Sequence, residues 1–368
     1  LFLFSIPILC FLVPPVYLLT SSGECFKEID TLIKKKDPYL IGYGNNEINY
    51  GYIKWKHLTT HHSEVISLGS SRVLQFRQQM FTKPFYNAGY SIYGINDFKP
   101  FLESLNKEKK PRYILLGLDQ WMFNETWDQL THTPQVNNWE KSFNNSLTSP
   151  LLFASWKNLI DGRFSLSAPP QKETKHLHLV GLNAQQKMTG FRNDGSMFYG
   201  SQITKLIDGS SSARDYQFKN TLDRIKTGNA RFEPGDTVNP KALQELREIV
   251  AYCKANNYKV IAFLPPFADK VNEVFQKSNR HGYLQDLAPQ LSPIFTEAEF
   301  EFYDFSKLSR CKSNDSEVLD GFHGSETTYH KILIKMLELG SSLNDVTNLE
   351  KLYKDLSTSV NHYTVYKY

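Results

Sequence analysis

The chain has 368 residues, of which 40% are hydrophobic and 22% charged, and its net charge is +4. That is enough apolar material to bury a full core, and it excludes a disordered chain, a coiled coil and, because the basic residues are not gathered into a patch, a nucleic-acid binder. Its four cysteines, Cys10, Cys25, Cys253 and Cys311, form no CxxC pair, so neither a zinc site nor a disulfide framework is signalled.

Residues 1–20, LFLFSIPILCFLVPPVYLLT, carry no charge. That is about the length needed to cross the hydrocarbon core of a bilayer, so the segment is expected to be a membrane anchor or uncleaved signal. The rest of the chain is then expected outside the cytoplasm, although the basic run Lys34, Lys35 and Lys36 sits on the side that the positive-inside rule disfavours. Residues 21–60 read as a stalk and entry segment with a helix near 24–36. VISL at 65–68 is short, apolar and β-branched, as a buried strand is. GSSR at 69–72 follows as a tight turn, and VLQFRQQMF at 73–81 has helical spacing. NAGYSIYGIND at 87–97 reads as a glycine-containing loop running into a helix near 95–105, and RYILLGLD at 112–119 as a second buried strand.

Between about 124 and 235 the pattern breaks up into a polar stretch rich in Asn, Ser and Thr, read as an insertion or cap with one helix near 214–227. Order resumes with an amphipathic helix over 239–257. KVIAFLPPF at 259–267 is a third buried strand, stopped by Pro265 and Pro266. A helix near 283–292, a strand EFYDF at 301–305 and a helix capped by Ser325 come next. Residues 345–368 form a polar tail that docks as a helix. Strands alternating with helices predict an α/β fold, a parallel sheet sandwiched by helices, over 61–344. Sites in such sheets lie at the carboxyl ends of the strands.

Three segments there carry chemistry. Ser71 follows the first strand in the turn Gly69-Ser70-Ser71-Arg72, where its hydroxyl is presented at the sheet edge; Ser70 is the rival nucleophile. Asp320 stands three residues before His323, so its carboxylate can accept Nδ1–H and leave Nε2 free to take a proton from a hydroxyl. Asn87-Ala88-Gly89 lets the backbone approach a ligand, and the N–H groups of Ser71 and Gly89 can hold an oxyanion. Arg72, Arg192 and Asn87 are candidate substrate binders. The pairs His57/His61 and His176/His178 have no third ligand nearby, so no metal is signalled, and no cofactor either.

Serine after the first globular strand, NxG in the next connection and D-x-x-H before a last helix together resemble the SGNH (GDSL-like) hydrolases. GSS at 69–71 is similar to their first block with Ser70 in place of Asp, NAGYSIYG at 87–94 to the second, and DGFH at 320–323 to the last. The third block, Gly-x-Asn-Asp, departs: here it reads Gly117-Leu118-Asp119-Gln120, so the asparagine donor is absent and Gln120 is the substitute. The resemblance implies a flavodoxin-like sheet and a serine O-acyltransferase or esterase with Ser71, Asp320 and His323 as its triad. With the apolar start and the insertion, the chain looks like the membrane-attached branch, DltD-like and alginate O-acetylation proteins. That branch implies an extracytoplasmic envelope polysaccharide as acceptor and a multispanning membrane-bound O-acyltransferase as partner. Hydrolysis by an esterase or deacetylase is the same chemistry with water as acceptor. A catalytically inactive polymer-binding scaffold, supported by Asp119, and an anion-binding domain built on the GSSR turn are the competing readings.

Overall fold

The computed structural model describes residues 2–34, 37–127, 130, 133–166, 173–174 and 177–367; Lys35, Lys36 and His176 lie outside the described residues. The strands in chain order are β1 (Tyr39–Ile41), β2 (Val65–Gly69), β3 (Phe85–Gly89), β4 (Tyr113–Gly117), β5 (Glu173–Thr174), β6 (Leu177–Val180), β7 (Thr189–Phe191), β8 (Met197–Tyr199), β9 (Lys259–Leu264) and β10 (Glu301–Asp304). They form two sheets, β10-β9-β4-β2-β3 and β5-β6-β1-β7-β8.

Every pairing in the first sheet is parallel. Its inner strands are apolar on both faces because helices cover both. Ile66, Leu68, Ile114, Leu116, Val260 and Ala262 face one core, and Val65, Tyr113, Leu115, Ile261 and Phe263 face the other. The alternation is the two-residue period of a strand. Each such side chain, fully buried, contributes roughly 1.5–3 kcal/mol by leaving water. The first core is closed by the helices Pro240–Ala255 and Tyr283–Thr296, the second by Glu326–Glu338 and Leu349–Ser357. The α/β parallel sheet read from the sequence is therefore present. Counted along the chain its strands run 2-1-3-4-5, and the direction of winding reverses between β2 and β4. A crevice forms at that point outside the carboxyl ends of the strands.

Several expectations are corrected. Residues 73–81 form no α-helix but two 3-10 turns, Ser71–Val73 and Gln78–Met80. The Asn87 amide takes the carbonyls of Val73 (2.8 Å) and Phe76 (3.0 Å), acceptors that a helix would have used, while Val73 and Leu74 pack into opposite cores. Asn87-Ala88-Gly89 is not loop but the end of β3, buried throughout. Residues 21–60 are not a stalk: Leu40 and Ile41 of β1 are fully buried, and helix Tyr50–Thr60 buries Tyr50, Ile53 and Leu58. The segment 124–235 supplies most of the second, mixed sheet, whose short strands left no long period-two pattern to read.

The apolar start does form a helix, Phe2–Ser21, but among the described residues no helix is long and apolar enough to cross a membrane. The expected anchor over 1–20 is thus not found. The end of this helix is docked instead: Leu18 packs with Phe164 and Leu182, and Trp156 Nε1 donates to the carbonyl of Phe11 at 2.7 Å. Cys25, Cys253 and Cys311 are buried as free thiols.

One buried ionic cluster ties three parts of the chain together. Arg77 Nη1 donates to Glu326 Oε2 at 2.7 Å, and its Nε to Asp194 Oδ2 at 3.2 Å. Glu326 Oε1 in turn accepts the N–H groups of Val365 and Tyr366. Burial alone would raise the Asp194 pKa, but Arg77 and Arg192 bring it down to about 2. Its stabilisation is therefore present above the ordinary value of 3.8 and disappears as the pH falls towards 2. Arg77→Met removes the nearest cation from two buried carboxylates and leaves them only the more distant Arg192; it is expected to cost about 3–5 kcal/mol, read as a lower midpoint in urea denaturation. A loss under about 1 kcal/mol, the range of an exposed pair, contradicts the clustered role.

Candidate active site

β2 ends at Gly69, and the chain turns at once into the 3-10 turn Ser71–Val73. Gly117, next door on β4, has no room for a side chain, because a Cβ there would strike Val73. Ser70 caps the turn: its Oγ accepts the N–H of Arg72 at 3.2 Å, and its carbonyl accepts the N–H of Tyr90 at 3.1 Å. Capping fixes Ser70 in the backbone and turns Ser71 outward. The Ser71 Oγ lies 2.9 Å from His323 Nε2.

The other half of the contact is a carboxylate turn. Asp320 Oδ1 accepts the N–H groups of Phe322 (2.8 Å) and His323 (2.7 Å), which folds Asp-Gly-Phe-His back on itself. The folding brings His323 Nδ1 to 2.9 Å from both Asp320 oxygens. Burial would raise the Asp320 pKa, but His323, Arg214 and the backbone donors hold it far below the usual carboxylate range. Burial lowers the His323 pKa below its ordinary value despite Asp320. The site thus has an ionised carboxylate, a neutral imidazole with Nδ1–H directed to it, and Nε2 free to accept the serine proton.

The remaining expected site residues are placed differently. The Gly89 N–H donates to Asn87 Oδ1 at 2.9 Å, so it is not free for an oxyanion, and Asn87 is fully buried as a brace rather than a binder. Gln120 Nε2 donates to the carbonyl of Pro265 at 2.7 Å, and its Oε1 accepts from Arg72, so its amide is not a substitute donor. Arg72 is buried beneath the site, donating to the carbonyls of Pro265 and Pro266, and does not line the cavity. Arg192 is likewise internal, bonded to Ser196 Oγ and 4.0 Å from Glu326. Asp119, where a carboxylate threatened to repel an oxyanion, is turned away: it sits 3.5 Å from Arg72, and burial raises its pKa to about 6. Trp121 and Phe123 are core. Among the described residues no group of three or more His, Cys, Asp or Glu is placed to hold a metal ion.

Ser71, Asp320 and His323 open into a cavity of about 810 Å³, within the range of small-molecule sites. Sequence reasoning missed most of its wall. Ser91 lines it, and its Oγ is buried without a hydrogen-bond partner; with the Ser71 N–H it is the remaining candidate donor to an oxyanion. Tyr90 also lines it, held at φ +72° by its bond to the Ser70 carbonyl, a strained conformation of the kind that gathers at functional sites. Arg214 reaches in from the insertion, 3.8 Å from Asp320. None of these three stands in a spacing pattern that a sequence can display.

A fluorophosphonate is expected to label Ser71, with labelling abolished in Ser71→Ala and retained in Ser70→Ala, which loses only the cap, about 1 kcal/mol of stability. Labelling that survives Ser71→Ala contradicts the assignment of the nucleophile. No family model matches the chain, and neither a curated protein nor a solved structure matches it, so the functional reading rests on this geometry.

Proposed function

We propose that the chain is an SGNH-type serine acyl-ester enzyme that moves an acyl group, acetyl or similar, onto a hydroxyl of an extracytoplasmic polysaccharide. The observation that carries this reading is the unbroken contact from Asp320 through His323 to Ser71, 2.9 Å at each link. His323 Nε2 takes the Ser71 proton as Oγ attacks the acyl carbon of a donor ester. The Ser71 N–H faces the developing oxyanion. The tetrahedral intermediate collapses, the donor's C–O bond breaks, and the imidazolium returns the proton to the departing alkoxide. An acceptor hydroxyl then loses its proton to His323, attacks the acyl-serine and releases Ser71, which regains a proton from the imidazolium. Water in place of the acceptor gives hydrolysis, so an esterase or deacetylase uses the same residues.

The acceptor polymer, the extracytoplasmic setting and a multispanning membrane-bound O-acyltransferase as partner enter through the motif resemblance alone. The inactive-scaffold reading drew on Asp119, and the turn of that carboxylate onto Arg72 weighs for the enzyme instead.

With p-nitrophenyl acetate, the full chain is expected to give a burst of nitrophenol that is lost in both Ser71→Ala and His323→Ala. Asp320→Asn is expected to lower kcat about 10³–10⁴-fold through loss of the correct tautomer. Equal release by the wild type and all three variants contradicts the proposal. The base must be neutral, so kcat/KM should be high at neutral pH and fall as the pH drops through the His323 pKa. Burial holds that pKa below 6.5, so the acid limb should have its midpoint below 6.5. A midpoint above 6.5 contradicts the buried, neutral imidazole.

A further inference from the structure

Oxyanion chemistry at Ser71 is short of donors. The Gly89 N–H is taken by Asn87 Oδ1, and the Gln120 amide by the Pro265 carbonyl. Asp119, which stands where a donor asparagine is looked for, turns onto Arg72. Neither side chain after β4 is therefore directed to an oxyanion. That leaves the Ser71 N–H, and a lone backbone donor is a weak match for the charge that develops on a tetrahedral intermediate.

The chain after β3 is placed differently. β2 and β3 pair in register up to Gly69 and Gly89, two residues before Ser71 and two before Ser91. One residue past the ladder they are still joined, because the Tyr90 N–H donates to the Ser70 carbonyl at 3.1 Å. Ser91 is held from both sides. Tyr90 packs edge-on against Tyr50, with 5.8 Å between ring centroids, and Ile92 is buried in the first core. Both Ser71 and Ser91 line the cavity, and the Ser91 Oγ is buried without a hydrogen-bond partner. Among the described residues the other buried hydroxyls without a partner are those of Ser21, Ser67, Ser155, Thr327 and Tyr329, and none of these residues lines the cavity. A hydroxyl withheld from water with nothing to bond costs free energy in the resting protein. At Ser91 that cost is explained by a partner that arrives with the substrate.

We infer that Ser91 is a catalytic residue, whose hydroxyl donates to the oxygen of the tetrahedral intermediate formed on Ser71, alongside the Ser71 N–H. This rests on the acyl-ester reading and adds to it the direction in which the substrate lies. β3 and β4 flank β2 on opposite sides. The Ser91 donor puts the substrate's carbonyl oxygen on the β3 side of Ser71, with the leaving group turned to His323, which returns the proton to it. No covalent bond forms at Ser91. Its hydrogen bond strengthens as charge builds on the oxygen and relaxes when the carbonyl re-forms.

The test is steady-state hydrolysis of p-nitrophenyl acetate and p-nitrophenyl thionoacetate by the full chain and by its Ser91→Ala variant. Sulfur accepts hydrogen bonds weakly, so a donor to the oxyanion favours the oxygen ester over the thiono ester. Ser91→Ala is expected to lower kcat for the acetate about 10²–10³-fold with little change in KM, and to narrow the acetate-to-thionoacetate ratio of kcat/KM by about tenfold or more. Its urea midpoint is expected to stay at or above that of the wild type, because no hydrogen bond of the fold is lost. An unchanged kcat overturns the inference. So does an equal loss with both esters, which marks a structural effect, or a lower urea midpoint, which means that the hydroxyl had a partner within the fold. Turnover that needs Ser71 and His323 but not Ser91 overturns this inference and leaves the acyl-ester reading standing. Absence of turnover, or turnover indifferent to Ser71 and His323, overturns both.

Discussion

The arrangement depends on one carboxylate. Asp320 Oδ1 takes two backbone N–H groups of its own turn, and the two oxygens together take the imidazole Nδ1–H. A neutral acid in that position could not accept all three donors, so the turn, the tautomer and the direction of Nε2 stand or fall with its charge. The turn is anchored from outside as well. The Gly321 N–H donates to Asp215, and the Leu319 N–H to the His323 carbonyl. Ser325 then caps the helix Glu326–Glu338 immediately beyond. A site built this way is ordered by the fold before any substrate arrives, which is how a weak hydroxyl nucleophile gains a base at no cost in reorganisation.

Strand topology supplies the meeting point. β2 and β4 lie side by side where the winding reverses, so the turn after β2 opens into a crevice with no crossover helix above it. The second sheet, built on β1 and the 124–235 segment, closes that crevice from the side and turns a sheet edge into a cavity. Buried charge locks the parts together. Arg77 joins the segment after β2, the 190–196 loop and the last long helix through Asp194 and Glu326, while Arg72 braces the floor through Asp119 and the Pro265 and Pro266 carbonyls. Such pairs fix relative position more than they add stability, because desolvation offsets much of their attraction.

Legibility in the sequence followed the range of the forces involved. The strands of the parallel sheet were readable because VISL, YILLG and VIAFL are apolar on both faces, and so was the pairing of Asp320 with His323, a contact three residues long. Ser325 as cap is local chemistry and was readable too. The helical spacing of residues 73–81 misleads because Asn87, reaching across from β3, takes the carbonyls on which a helix depends. Gly89 and Gln120 mislead because a backbone N–H or an amide looks available until its partner, Asn87 Oδ1 or the Pro265 carbonyl, is placed beside it. Arg72 and Arg192 look like binders for the same reason. The second sheet escapes sequence reading because its strands run two to four residues, too short for a periodic signal. The cavity wall escapes it because Tyr90 and Ser91 come from one part of the chain and Arg214 from another, and they meet only in the fold.

The most direct measurement of the central claim is rapid-quench peptide mapping of the full chain mixed with an activated acetyl ester. If His323 activates Ser71, acetyl appears in the first turnover on the peptide bearing Ser71, fails to appear when His323 is alanine, and leaves that peptide faster when a hydroxylated acceptor is added. Acetyl found on another residue, or on Ser71 at the same rate without the imidazole, would contradict that claim.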